Sequence, residues 1–144
     1  MAQAIPRLLV VTNDADIKRL MDTLMRHGRI QAAVTANVAH AAQFLRSNAN
    51  PDVVVLDLSM PDGNLIDFLR QMRARTEYST LPVLALTEVP DPDLVRTALQ
   101  AGANRYLTKL FAAKNLLSTV EEMLLAQPPK QGTRPLTAGL RGGF

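Results

Sequence analysis

At 144 residues, with 47% apolar and 20% charged side chains, the chain has the length and composition of one soluble globular domain with a core of its own. The absence of cysteine excludes a disulfide framework, thiol catalysis and thiolate zinc sites, and the two histidines, His27 and His40, are too isolated to form a metal cluster. The net charge of +3 is local: residues 127–144 carry Lys130, Arg134 and Arg141 and no acid, which leaves thirteen basic against thirteen acidic residues elsewhere and no broad face for DNA.

In chain order, "RLLVV" (7–11) is a short β-rich run, and "DIKRLMDTLMRHG" (16–28) places Ile17, Leu20, Met21, Leu24 and Met25 at helical spacing before Gly28. "QAAVTA" (31–36) predicts a second strand, and "VAHAAQFLRSN" (38–48) repeats apolar residues every three or four positions. Pro51 then resets the chain before "DVVVLD" (52–57), a strand that ends on a carboxylate. There follow an amphipathic helix over 65–75, a buried strand "LPVLALT" over 81–87 and a helix over 93–103 that closes near Gly102. A strand "RYLTK" (105–109) and a helix over 112–126 complete the series. Residues 1–126 therefore read as one domain, and "QPPKQGTRPLTAGLRGGF" (127–144), with three prolines and four glycines, as a flexible basic extension.

Five strands alternate with five helices. Strands that are near-continuous apolar runs are those covered by helices on both faces, so the expected fold is a doubly wound α/β domain with a five-stranded parallel sheet. In such sheets ligands gather at the carboxyl ends of the strands. Those ends carry Thr12, Asn13 and Asp14 after the first strand, Asp57 after the third, Thr87 after the fourth and Lys109 after the fifth. No run of about 18 uncharged apolar residues spans a membrane, and "MAQAIPRLLVV" lacks the pattern of a signal peptide, so the expected location is cytoplasmic. There is no GxxxxGK[ST] or GxGxxG stretch to cradle a nucleotide.

"VVVLDLSMP", "LALT" and "AGANRYLTKLF", in that order and spacing, resemble the receiver domain of two-component response regulators, the CheY-like member of the flavodoxin-like folds. The resemblance covers residues 6–126. It implies that Asp57 accepts a phosphoryl group from a histidine kinase or phosphotransfer protein, that Thr87 and Lys109 contact the phosphoryl oxygens, and that Tyr106 turns inward when the site is charged. It also implies Mg2+ held by Asp57, Asn13 and the backbone carbonyl of Ser59, and a signalling role rather than an enzymatic one, with output through a downstream protein bound by the fourth helix, fifth strand and fifth helix. The chemistry is consistent with the residues: phosphoryl transfer needs an in-line nucleophile and positive charge on the equatorial oxygens. A phosphatase with an aspartate nucleophile is excluded because its pattern has a second aspartate where Ser59 stands.

Four positions depart from that family's pattern. Thr12 and Asn13 stand where it places two acids, Glu88 where it favours a small residue, and Leu110 where it places a cis proline. The expectations are weakened Mg2+ binding, an Asp14 side chain that points elsewhere, a crowded phosphoryl site, and a trans bond with a shifted loop before Leu110, since a cis bond there costs about 3–4 kcal/mol. The alternative reading is a pseudo-receiver that binds a protein or a small anion without phosphorylation, in one form a cyclic dinucleotide on "RQMRAR" (70–75) or the tail arginines.

Overall fold

The computed structural model describes residues 5–47, 50–60 and 64–126; the extension expected over 127–144 lies outside them. Strands β1 (Arg7–Val11), β2 (Gln31–Thr35), β3 (Val53–Asp57), β4 (Val83–Thr87) and β5 (Arg105–Thr108) form one parallel sheet in the order β2-β1-β3-β4-β5. Helices α1 (Ala15–Arg26), α2 (Val38–Arg46), α3 (Leu65–Ala74) and α4 (Pro92–Ala101) connect them, and α5 (Lys109–Ala126) follows β5. The order reverses beside β1, so the loops after β1 and β3 flank the switch point at which such sheets bind ligands.

The period-2 alternation of the strands divides the core into two layers. Leu9, Val11, Val54, Leu56, Val83 and Ala85 pack under α2, α3 and α4, with Phe68, Leu69 and Ala98. Leu8, Val10, Val53, Val55, Leu84 and Leu86 pack under α1 and α5, with Ile17, Met21, Leu116 and Val120. Every residue of β3 and β4 is buried, which is why their sequences read as unbroken apolar runs.

Local signals set the helix ends. Asp14 caps α1 by accepting from the N–H groups of Asp16 and Ile17, and Asn37 and Asp91 do the same for α2 and α4. Gly102 ends α4 with φ +124°, and a β-carbon there would meet the Arg73 side chain at 2.7 Å. Arg73 wraps this turn, donating to the carbonyls of Gly102 (2.8 Å) and Tyr78 (2.9 Å) and to Asn104 Oδ1 (3.1 Å).

Besides shifts of one or two residues at other element ends, three differences from expectation bear on the fold. β4 begins at Val83 rather than 81, because Pro82 has no N–H to give the ladder and contributes only its carbonyl, to Val54 N at 2.9 Å. Residues Thr76–Tyr78 form a 3₁₀ turn between α3 and β4 that the sequence did not announce. The bond before Leu110 is trans as expected, but no shifted loop follows: α5 starts at Lys109, directly after β5. Leucine carries no ring to disfavour helical dihedrals at the residue before it, so Lys109 can open the helix directly after the strand.

Candidate functional site at the carboxyl rim of the sheet

Asp57 is the last residue of β3 and is only 1% exposed. A carboxylate is tolerated at that depth only if its oxygens are paired, and here both are. Oδ1 accepts from the Ser59 N–H (3.0 Å) and the Ser59 hydroxyl (2.6 Å). Oδ2 accepts from the Thr12 hydroxyl (2.6 Å) and lies 3.0 Å from Lys109 Nζ. The loop geometry explains these contacts. Ser59 sits two residues past Asp57 in a turn that closes with the Met60 N–H on the Asp57 carbonyl, while β1 pairs with β3 and brings Thr12 alongside.

Lys109 enters from the start of α5 and is the hub of the site. Its ammonium donates to Asp14 Oδ2 at 2.9 Å as well as pairing with Asp57, and Glu88 Oε1 lies 3.4 Å away on the solvent side. Burial alone would lower the lysine's pKa, but the hydrogen bonds to Asp14 and Asp57 outweigh it and hold the group up at about 12. The Asp14 carboxyl is correspondingly held below the usual carboxylate range, chiefly by the hydrogen bond from Lys109. Asp14 was expected to point elsewhere, and this is corrected: the N-cap geometry uses Oδ1 and turns Oδ2 into the site. The sequence signals the cap, an aspartate before the first helical turn, but not a contact across 95 positions of chain.

The other expected residues divide into two groups. Thr12 is fully buried in the site, whereas Asn13 is exposed and makes no hydrogen bond to Asp57. Thr87 ends β4 beside Asp57, also fully buried, and its hydroxyl has no hydrogen-bond partner among the described residues. Its neighbour in register, Thr108, is in the same condition, a feature that sequence reasoning missed. Tyr106, two residues before Thr108, is 44% exposed and lines a surface groove with Pro90, Val95 and Leu99 of the α4 side.

These features, an aspartate at the end of the central strand, a lysine on it from the start of the last helix and a buried threonine at the end of the strand between, can be compared with known proteins. Residues 8–121 match the response regulator receiver domain family. The chain belongs to that family. It is 30% identical to the chemotaxis protein CheY1 of Helicobacter pylori over 119 residues, 82% of this chain and 96% of that one. The CheY homolog of Campylobacter jejuni is 29% identical over 82% of this chain and 92% of its own. Among solved structures, the receiver domain of the Francisella response regulator 1452 aligns with a TM-score of 0.70 and 28% identity, over 83% of this chain and 97% of that one. Receiver domains are signalling domains of two-component systems, not classical enzymes, and act with histidine kinases and downstream targets. No helix among the described residues is long and apolar enough to cross a membrane.

Receiver domains generally hold Mg2+ at an acidic phosphorylation site. The donors here do not fit a firmly held divalent cation. Among the described residues no group of three or more acids or histidines is placed to bind a metal, and each Asp57 oxygen already accepts two hydrogen bonds. Asp14 is committed to Lys109 and the α1 cap, and Ser59 faces Asp57 with donors. Hard cations need free oxygen lone pairs, and the Asp57 and Asp14 carboxylates already spend theirs on donors within the fold.

Proposed function

We propose that this receiver accepts a phosphoryl group on Asp57 and relays that state to a protein partner. The observation that supports this is the conjunction of a buried, paired Asp57 with a buried Thr87 hydroxyl that lacks an acceptor among the described residues. An unsatisfied buried hydroxyl costs about 1–3 kcal/mol, and a phosphoryl oxygen on Asp57 is the acceptor that would relieve it. In the transfer an Asp57 oxygen attacks phosphorus, the bond from phosphorus to the donor's histidine nitrogen breaks, and an acyl phosphate forms. Lys109 supplies positive charge, and the Ser59 N–H and Thr87 hydroxyl supply donors. Thr12 has to release its hydrogen bond to Asp57 Oδ2 for that oxygen to react, so transfer is slow compared with receivers that carry two acids there.

On this reading Tyr106, exposed in the resting protein, is the reporter, and the surface formed by α4, β5 and α5 is where a downstream protein binds. The arginine segment gives the cyclic-dinucleotide alternative no support: Arg73 is bound within the fold, and Arg70 and Arg75 pair with Asp67 and Glu77. The decisive test is incubation with acetyl phosphate followed by intact-mass measurement. The parent is expected to gain one phosphoryl group and Asp57→Asn none; a gain in the variant removes Asp57 as the acceptor.

A further inference from the structure

Three carboxylates share one ammonium at this rim, and their shares differ. Asp57 is buried, Asp14 is part-buried and Glu88 is largely exposed, at 3.0, 2.9 and 3.4 Å from Lys109 Nζ. Lys109 is the only cation in contact with Asp57 among the described residues. A phosphoryl group arriving on Asp57 adds negative charge to a site that already has an excess, and the ammonium that must neutralise it is held by two other acids.

Asp14 is built for this second role. Its two oxygens have separate duties: Oδ1 accepts from the Asp16 and Ile17 N–H groups and starts α1, while Oδ2 takes Lys109. The cap fixes the carboxyl in place, so the ion pair requires no further ordering of Asp14. The same residue is tied to the phosphoacceptor from behind, since its own N–H donates to the Thr12 hydroxyl (3.0 Å), which donates onward to Asp57.

We propose that Asp14, assisted by Glu88, is an ionic latch: a positioning residue that sequesters Lys109 in the resting pocket and must surrender it before a phosphoryl group on Asp57 can be neutralised. This rests on Asp57 as the phosphoacceptor and deepens that reading by naming what restrains it. Two negative charges within contact of the lysine also repel the incoming group directly, and at this partly buried position solvent screens them incompletely.

Asp14→Asn separates the two duties. Asparagine caps helices as well as aspartate, so its oxygen retains the α1 contacts, while the negative charge facing Lys109 is removed. With acetyl phosphate and a chelator present, Asp14→Asn is expected to acquire the phosphoryl group about fivefold faster than the parent. Glu88→Gln, acting on a longer and exposed pair, should give about twofold. An equal or slower rate in Asp14→Asn overturns the latch, as does a slowing seen only with magnesium, which would make Asp14 a metal-side acid. If neither protein gains mass with magnesium in place of the chelator either, the phosphoacceptor reading is what fails. The latch is then tested by a double-mutant cycle of Asp14→Asn and Lys109→Met on urea stability in an Asp57→Asn background. Coupling of about fivefold in the folding equilibrium constant is expected, and additivity overturns the latch.

Discussion

The two halves of the rim are built in opposite ways. On the side of β1 and β3, Asp57, Thr12, Ser59, Asp14 and Lys109 are joined by a closed set of contacts between 2.6 and 3.0 Å. On the side of β4 and β5, the Thr87 and Thr108 hydroxyls are buried without partners among the described residues and Tyr106 stands half in solvent. The first half is over-determined and the second is under-satisfied. A closed network holds a nucleophile in one geometry, whereas unpaired groups leave a surface whose energy falls when a new acceptor arrives. On the proposed reading, the nucleophile sits in the closed half and the groups that respond to its phosphorylation sit in the open one.

The largest expected effect comes from removing the hub. Lys109→Met leaves Asp57 buried with only neutral donors and should destabilise the fold by about 2–3 kcal/mol, less than a fully buried pair because Lys109 reaches solvent. Urea denaturation measures this, and a change below about 0.5 kcal/mol would mean that the closed half is held by the hydroxyls alone. The same contact has a pH signature. The folded pKa of Lys109 is raised from 10.5 to about 12, so its contribution is fully present below the unfolded value and is lost as pH rises through that window. The parent should lose stability between those values more steeply than Lys109→Met does.

A second intervention converts the closed half into a metal site. Thr12→Asp with Asn13→Asp restores two charges near Asp57 and removes the Thr12 hydrogen bond, so Mg2+ affinity should rise at least tenfold, about 1.4 kcal/mol, while stability in chelator falls. Calorimetric titration of both proteins decides it, and equal affinities would show that the pocket is not degenerate. Thr12→Val, which keeps the shape and deletes the hydroxyl, should cost about 1–2 kcal/mol because a buried carboxylate oxygen loses a donor. The smallest effect is expected across the rim: Thr87→Val removes an unsatisfied hydroxyl, so stability should be unchanged or improve by about 0.5–1 kcal/mol. A loss as large as that of Thr12→Val would abolish the contrast between the halves.

Much of this was legible before any coordinate. Unbroken apolar runs announced central strands, and Asp57, Thr87 and Lys109 at successive strand ends marked the rim. The failures have separate causes. Asp14 was set aside because a residue's orientation past a strand end depends on which oxygen the helix cap uses, and Lys109 lies 95 positions away. The start of α5 was placed three residues late because 109–111 has the composition of either a loop or a first helical turn.

The sequence by itself determined the alternation of strands and helices, because burial on two faces or one writes its period directly into the chain, and it determined which residue types stand at the strand ends. Only the tertiary structure decided how those types are used: that Thr12 is a donor to Asp57, that Asp14 and Glu88 share Lys109, and that Thr87 and Thr108 are left without acceptors among the described residues. Hydrogen bonds and ion pairs act over about 3 Å with strict direction, and a chain carries no record of which distant side chains will meet at that range until the sheet has set its register.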